Sequence, residues 1–135
     1  MYLTSKDFNL KKDVLQIQTT DNIVVVCIFS RDCNACKFEK KNLPIAINNF
    51  PEISFGQIHV DEQMKIINIL KSANINITHV PSYLLFKLGI FERQLHLQSL
   101  NSIEIKKELM YELDPINIIS KNSITKPNYK LLSDL

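Results

Sequence analysis

Residues 23–29, IVVVCIF, restrict the fold more than any other part of this chain, because every position is apolar and most side chains are β-branched. A run of this kind predicts a central strand that is buried on both faces. Cys33 and Cys36 follow it in the stretch FSRDCNACKFEKK, and helix-forming residues continue to about Phe50. Pro44 lies inside this helical segment, so we expect the helix to be kinked or divided there.

The residues before this strand predict a helix. Thr4–Asp7 resembles a capping box, and the apolar side chains from Phe8 to Ile17 recur at roughly helical spacing. After the cysteine segment, residues 53–60 predict another strand, and Asp61 is the expected N-cap of the next helix. The middle of the chain therefore alternates strand, helix, strand and helix.

The C-terminal half predicts a hairpin and a last helix. The segments SYLLFKL and FERQLHLQ flank a tight turn at Gly89, as expected for two antiparallel strands. A final helix is expected from Asn101, with Glu104 as its capping partner, to about Leu113. Together these elements predict an α/β fold with a mixed central β-sheet flanked by helices on both faces.

The composition is typical of a single globular domain. The chain has 135 residues, of which 45% are hydrophobic and 22% charged, so it can bury a core without metal or disulfide support. The net charge of +2 is spread along the chain without a basic block, which argues against a nucleic-acid partner. The apolar runs are too short to span a bilayer, and charges interrupt the N-terminal segment, so we expect no membrane segment and no signal peptide.

We expect the domain to cover residues 1–113 and residues 114–135 to form a C-terminal extension. Residues 115–135 carry few periodic signals, although several of their side chains are apolar enough to dock on a surface. Chain termini are commonly loose or weakly held, so a partly ordered tail lying on its own domain is the simpler interpretation. A tail that docks on a partner in a larger assembly is the alternative.

A C-x-x-C pair alone is compatible with zinc, iron–sulfur and redox sites. The other candidate ligands, Cys27 and three histidines, show no paired spacing, so we expect no metal site and no bound cofactor. A thiolate in the first turn of a helix faces unpaired backbone N–H groups and the positive end of the helix dipole, which favours its ionised form. Cys33 is therefore the expected nucleophile, and Cys36, one turn later, is the expected resolving thiol.

The sequence resembles the thioredoxin family over roughly residues 2–113. The resemblance rests on VVVCIFSRDCNACK, HVDEQ and HVPSYLLFKLG, which are similar to the family's first central strand and active-site helix, its next strand and its proline segment. It implies a thioredoxin fold and a cis peptide between Val80 and Pro81. It also implies that Val80 presents its backbone to an extended substrate peptide, and that the partners are protein disulfides and an external thiol donor or reductase.

Several positions around the cysteines depart from the family pattern. Asp32 stands where thioredoxins usually have tryptophan, and Asn34 and Ala35 replace Gly-Pro. An anion beside Cys33 disfavours its thiolate and opposes the helix dipole. His79, two residues before the proline, is expected near the rim of the site, where it either stabilises the Cys33 thiolate or has no such role.

The family's buried charged pair is also replaced. Its aspartate corresponds to Cys27 and its lysine partner to Gln57, so both charges give way to neutral groups. Without that proton acceptor we expect slower exchange, with water or Cys27 in its place. Cys27 is expected to pack as a buried hydrophobe, and a role as a third redox thiol beneath Cys36 is the alternative. Gln98 replaces the glycine that lines the family's substrate groove, which predicts a narrower or more polar groove.

Two functional hypotheses follow. The first is a cytoplasmic thiol–disulfide oxidoreductase in which Cys33 attacks, Cys36 resolves, and Val80 and Pro81 position the substrate. The second is a thioredoxin-fold structural or adaptor subunit of a larger assembly, whose cysteines perform little or no catalysis. Frequent Ile, Asn and Lys indicate an AT-rich coding genome, so the second hypothesis includes a virion component if the source is viral.

Overall fold

The computed structural model describes residues 1–114. Its strands are β1 (Phe8–Lys11), β2 (Val14–Ile17), β3 (Ile23–Phe29), β4 (Ser54–His59), β5 (Ser82–Lys87) and β6 (Ile90–Leu95). Its helices are α1 (Asn34–Asn49), α2 (Lys65–Ser72) and α3 (Ser102–Glu108), and Ser5–Asp7 form a short 3-10 helix. The strands make one sheet in the order β1-β2-β6-β5-β3-β4, in which β3 and β4 are parallel and the other neighbours antiparallel. This is the mixed sheet that the sequence predicts.

Strand β3 lies inside the sheet with all of its residues buried, which confirms the prediction for the IVVVCIF run. The register pairs Cys27 with Gln57 on β4 and with Tyr83 on β5. Because directly paired residues of neighbouring strands point to the same face of a sheet, these three side chains share a face. The backbone of Met1 and Leu3 covers the outer edge of β4 through hydrogen bonds of 2.9 and 2.8 Å with Gln57.

The two faces of the sheet carry different layers. Helices α1 and α3 pack on the face that holds Cys27, here called the cysteine face, whose core residues are Ile23, Val25, Cys27, Phe29, Cys36, Leu43, Ala46, Phe50, Ile53, Phe55, Tyr83, Leu85, Leu95, Leu100, Ile105 and Leu109. Helix α2 and the β1–β2 hairpin contribute to the opposite face, here called the apolar face, whose core residues are Leu3, Phe8, Leu15, Ile17, Val24, Val26, Ile28, Ile58, Ile66, Leu70, Ile75, Leu84 and Phe86.

The prediction of a first helix was wrong, because residues 8–17 form the β1–β2 hairpin. Lys12 and Asp13 make its two-residue turn with φ angles of 55° and 66°, the pair of positive angles that tight hairpin turns require. Leu15 and Ile17 are buried at alternate positions, which is the period of a strand. The capping box at Thr4 exists, but it caps only the 3-10 helix.

The helices after β3 and β4 differ from the prediction in detail. Helix α1 is continuous through Pro44, so the predicted division was wrong. Helix α2 has Met64 at its N-cap with no side-chain cap bond, so Asp61 is not the cap that the sequence suggested. The Asp61 carboxylate instead accepts the backbone N–H of Arg31 at 3.1 Å, and it therefore links the end of β4 to the loop before the cysteines.

The C-terminal half follows the prediction more closely. Leu88 and Gly89 turn between β5 and β6 with φ angles of 54° and 81°, which confirms the predicted hairpin. Helix α3 follows Asn101, whose side chain accepts the Glu104 N–H at 2.8 Å. The predicted end near Leu113 was too late, because α3 ends at Glu108 and turns follow it.

No helix within residues 1–114 is long and apolar enough to cross a bilayer. The domain boundary at residue 113 stays a prediction. Apart from Asp114, the predicted C-terminal extension lies outside the described residues, and so does the partner-docking role assigned to it.

Candidate active site

The cysteine pair lies where β3 passes into α1. Cys33 is the N-cap residue of α1, and its sulfur accepts the Cys36 N–H at 3.1 Å. Residues three apart at the start of a helix lie one turn apart on the same side, so the two sulfurs meet. Cys33 and Cys36 form a disulfide with their Cα atoms 5.1 Å apart. The structure thus holds the oxidised form of the predicted pair.

The two cysteines differ in their access to solvent. Cys36 is 0% exposed and belongs to the core of the cysteine face. Cys33 is only half-buried and packs at the margin of that core. Any part of the cysteine pair that a partner molecule meets therefore belongs to Cys33, because Cys36 is not exposed.

The proline segment faces the outer cysteine. The Val80–Pro81 peptide is cis, and the Cys33 sulfur lies 3.8 Å from the Val80 carbonyl oxygen. Ser82 fastens this segment to the start of β5 by donating its hydroxyl to the His79 carbonyl at 2.7 Å. The fold therefore brings Cys33, Val80 and Pro81 together, although they lie far apart in the sequence.

Behind the disulfide, three polar side chains lie side by side on the cysteine face. Cys27 is fully buried, and its burial raises the pKa of the thiol. Tyr83 is buried beside it, and desolvation likewise raises the pKa of the phenol. Neither the Tyr83 hydroxyl nor Gln57 Oε1 has a hydrogen-bond partner among the residues that the structure describes. An unpaired buried polar group costs about 1–3 kcal/mol of stability, so these two groups weaken this part of the core.

The residues that flank the cysteines are on the surface. Asp32, Asn34 and Ala35 are all exposed, so solvent screens the effect of the Asp32 charge on the Cys33 sulfur. Arg31 forms ion pairs with the carboxylates of Asp61 and Glu62, which follow β4 in the chain. The hydrogen bond that the Arg31 guanidinium donates to Glu62 raises the pKa of Arg31 and lowers the pKa of Glu62.

His79, His59 and Gln98 make contacts with groups other than the two sulfurs. His79 is exposed, and its ring Nδ1 lies 3.2 Å from the Thr78 hydroxyl oxygen. His59 ends β4, with Nδ1 3.5 Å from a Glu62 carboxylate oxygen. Gln98 is exposed and donates its backbone N–H to Glu104 at 3.3 Å. The redox-tuning role of His79 and the groove-lining role of Gln98 both stay predictions.

Glu39 is the residue of this region that sequence reasoning missed. It lies on α1 three residues after Cys36 and is only 4% exposed. Its Oε1 accepts hydrogen bonds from the Leu100 N–H at 2.8 Å, the Ser99 hydroxyl at 3.1 Å and the Asn42 side-chain amide at 3.1 Å. The signal was its spacing from Cys36, which places both side chains on the buried side of the helix.

Within residues 1–114, no group of three or more His, Cys, Asp or Glu side chains is placed to hold a metal ion. What the described arrangement offers is a disulfide with one accessible and one buried sulfur. Thiol–disulfide exchange requires such a pair, because one thiol meets the partner and the other completes the reaction.

No family model matches the sequence, and no curated protein matches it. Solved structures of thioredoxins do match. Mitochondrial thioredoxin 3 of Saccharomyces cerevisiae, in its oxidized form, is 21% identical with a TM-score of 0.54, and 67% of this chain and 79% of that chain are covered. The thioredoxin of Trypanosoma brucei brucei is 15% identical with a TM-score of 0.55, over 69% and 76% of the two chains.

The Trx4 domain of ERdj5 is matched over a longer part of both chains. It is 18% identical with a TM-score of 0.61, and the match covers 84% of this chain and 95% of that domain. Likeness at this level of identity establishes the fold. The chain has the thioredoxin fold, as the resemblance of its sequence to that family implied.

Proposed function

We propose that this protein is a thiol–disulfide oxidoreductase that exchanges the Cys33/Cys36 dithiol or disulfide with protein substrates. The fold and the C-x-x-C pair support this class of chemistry in general. The observation that carries the proposal is the unequal burial of two bonded sulfurs at the N-terminus of one helix. A structural disulfide has no need of an accessible sulfur, whereas an exchange reaction requires one.

The reaction begins at Cys33. In the reducing direction, its thiolate attacks one sulfur of a substrate disulfide, and the other substrate sulfur leaves as a thiolate. Cys36 then loses its proton and attacks the Cys33 sulfur, which forms the Cys33–Cys36 disulfide and releases the second substrate thiolate. The substrate gains two electrons and the protein loses two. An external thiol donor or reductase restores the dithiol, and the same steps in reverse oxidise a substrate.

Val80 and Pro81 are proposed to position the substrate. The Val80 carbonyl lies beside the Cys33 sulfur, where an extended peptide carrying the attacked disulfide would pass. An extended peptide can pair with exposed backbone by strand addition, which depends little on its sequence. The substrate would therefore be held mainly through its own backbone, next to the reacting sulfur.

A disulfide-reduction assay with dithiothreitol as electron donor tests this function. We expect the wild-type protein to reduce a model protein disulfide faster than dithiothreitol alone, and Cys33→Ser and Cys36→Ser to abolish that gain. Cys27→Ala is the matched control, because it removes the buried thiol and leaves the bonded pair intact. Equal rates for the wild-type protein and Cys33→Ser would refute the oxidoreductase and leave the structural or adaptor subunit as the better hypothesis.

A further inference from the structure

The proposed function leaves one question about the buried cysteine. When Cys36 attacks the Cys33 sulfur, the Cys36 thiol must give up a proton. Cys36 is 0% exposed, so bulk water does not reach its sulfur to take that proton. The proton acceptor therefore has to be a protein group on the cysteine face, or a group that connects this interior to solvent.

The sheet beneath Cys36 offers no such acceptor. Cys27 and Tyr83 both stay neutral near neutral pH, since burial raises the pKa of each. Gln57, the third polar side chain in this row, is an amide, which does not take up a proton near neutral pH. Cys27 and Gln57 are the positions at which the resemblance to the thioredoxin family implied a lost charged pair.

Helix α1 supplies a carboxylate instead. Glu39 follows Cys36 by three residues, a spacing that places the two Cβ atoms about 5–6 Å apart on one side of a helix. Both side chains are buried. The negative charge of Glu39 also contributes to the raised pKa values of Cys27 and Tyr83, after the larger effect of their burial. The carboxylate is thus close enough to act electrostatically on the interior behind the disulfide.

The hydrogen bonds of Glu39 leave part of the carboxylate available. The donors that the described residues offer, from Asn42, Ser99 and Leu100, all bond to Oε1. They hold the carboxylate in a fixed position, and Oε2 keeps its lone pairs for a proton.

We propose that Glu39 is the proton acceptor for Cys36 in the resolving step. The Cys36 S–H bond breaks and its proton passes to Glu39 Oε2, directly or through one water. The Cys36 sulfur bonds to the Cys33 sulfur, and the bond between Cys33 and the substrate breaks, so the substrate leaves as a thiolate. In the oxidising direction Glu39 returns the proton to Cys36. A carboxylate on α1 thereby performs a task that the neutral residues of the sheet cannot perform.

The test separates the two steps of exchange in the full chain. The reduced protein is mixed with dithiobis(nitrobenzoate), a chromogenic disulfide that releases one coloured thiolate when Cys33 attacks and a second when Cys36 resolves. Glu39→Gln keeps an oxygen acceptor for the same donors and removes the charge. We expect the first release to be unchanged and the second to be slower by about 10²-fold or more, the usual contribution of a general base.

A pH series and a shorter carboxylate sharpen the test. A higher pH raises the thiolate fraction of Cys36 even without the carboxylate, so the second release of Glu39→Gln should recover as the pH rises, and Glu39→Asp should recover part of the rate at neutral pH. The groups that face Glu39 do not imitate this recovery near neutral pH, because Cys27 and Tyr83 are neutral there. The 99–100 segment contributes only a hydroxyl and a backbone N–H.

Two controls distinguish proton transfer from a purely structural role. Glu104→Gln changes a half-buried carboxylate that also accepts a backbone N–H, and it should leave both releases unchanged. Asn42→Ala with Ser99→Ala removes two partners of Glu39 but keeps its charge and its bond from the Leu100 N–H, so the second release should slow less than in Glu39→Gln. The inference is overturned if Glu39→Gln resolves as fast as the wild-type protein, or if the Asn42/Ser99 variant is equally slow. A missing first release in the wild-type protein would instead refute the proposed function.

Discussion

The same strands meet two different environments on the two faces of the sheet. On the apolar face, Phe86 lies in a core of hydrocarbon side chains, and the buried Ser82 hydroxyl beside Ile28 donates to the His79 carbonyl. On the cysteine face, Cys27 and Tyr83 bring a thiol and an unpaired hydroxyl into the core beside Cys36. Hydrophobic burial stabilises the apolar face. The cysteine face is less stable, because its core also contains polar groups that have no hydrogen-bond partner among residues 1–114. The apolar face therefore contributes mainly to the stability of the fold, whereas the cysteine face contains the thiols.

The largest effect should come from the apolar face. Phe86 is 0% exposed, so Phe86→Ala should lower the free energy of unfolding by about 3–5 kcal/mol, because it removes buried contacts and leaves a cavity. Denaturant unfolding measures the loss, and Ile103→Ala, at a position 77% exposed, is the control. At temperatures where the variant is folded, the release of the chromogenic thiolate by Cys33 should keep its wild-type rate. A slower first release would show that the two faces are not separate.

The next effect concerns pH and Cys27. Below the ordinary thiol pKa of 9.0, Cys27 is neutral in both the folded and the unfolded chain, so it adds no pH dependence. Above it, the unfolded chain ionises Cys27 while burial keeps the folded thiol neutral, so stability falls as pH rises. The slope should approach about 1.4 kcal/mol per pH unit. Unfolding of the oxidised protein at pH 9 and above measures this loss, and Cys27→Ala should make the decline shallower. Equal slopes for both proteins would contradict the burial of this thiol.

A smaller effect of the opposite sign is expected at Tyr83. Tyr83→Phe removes a buried hydroxyl that has no partner among residues 1–114 and keeps the ring. The variant should be more stable by about 1 kcal/mol, because the folded state no longer carries an unpaired polar group. Thermal or denaturant unfolding is the measurement, with Tyr2→Phe at an exposed position as the control. A clear loss of stability would mean that the hydroxyl makes a bond in solution and that the cysteine face is better paired than described.

The smallest effect tests the hairpin that helps to cover the apolar face. Asp13 has a φ of 66°, and Asp13→Gly removes the steric cost of that angle at the expense of greater freedom in the unfolded chain. The net gain in unfolding free energy should be about 0.5 kcal/mol. The opposite change can be made in the other hairpin, at the turn between β5 and β6. Gly89→Ala should lower the free energy of unfolding, because the φ of Gly89 is 81° and a Cβ atom there would lie 3.2 Å from the Ile17 carbonyl oxygen. A stabilising Gly89→Ala would contradict the described turn.

The fold around the cysteines could be predicted because its signals are local. The run IVVVCIF, the helix formers after Cys33 and the turn at Gly89 each determine their own element. The first hairpin could not be predicted in this way, because its turn uses Lys12 and Asp13 instead of the Asn-Gly pair that marks such turns. Val14 is a half-exposed apolar residue on β2, and it completed a misleading helical pattern.

The residues of the candidate site could likewise be predicted only in part. Cys33, Cys36 and Val80 follow from the family pattern, and the structure brings them together. Glu39 stands in the charged stretch KFEKK, which is typical of a solvated helix surface. Its burial depends on the 99–100 segment, which folds over α1 from a distant part of the chain. The spacing of three from Cys36 indicates the side of α1 on which Glu39 lies, but nothing near Glu39 in the sequence indicates the segment that covers it.

The most direct test of the central claim is to follow the two cysteines through one exchange. Reduced Cys36→Ser is incubated with a model protein disulfide, and peptide mapping by mass spectrometry locates the linkage. The account predicts a stable mixed disulfide on Cys33 for Cys36→Ser, none for Cys33→Ser, and the Cys33–Cys36 disulfide with free substrate thiols for the wild-type protein. A mixed disulfide on Cys36 or Cys27, or none in any variant, would contradict the account.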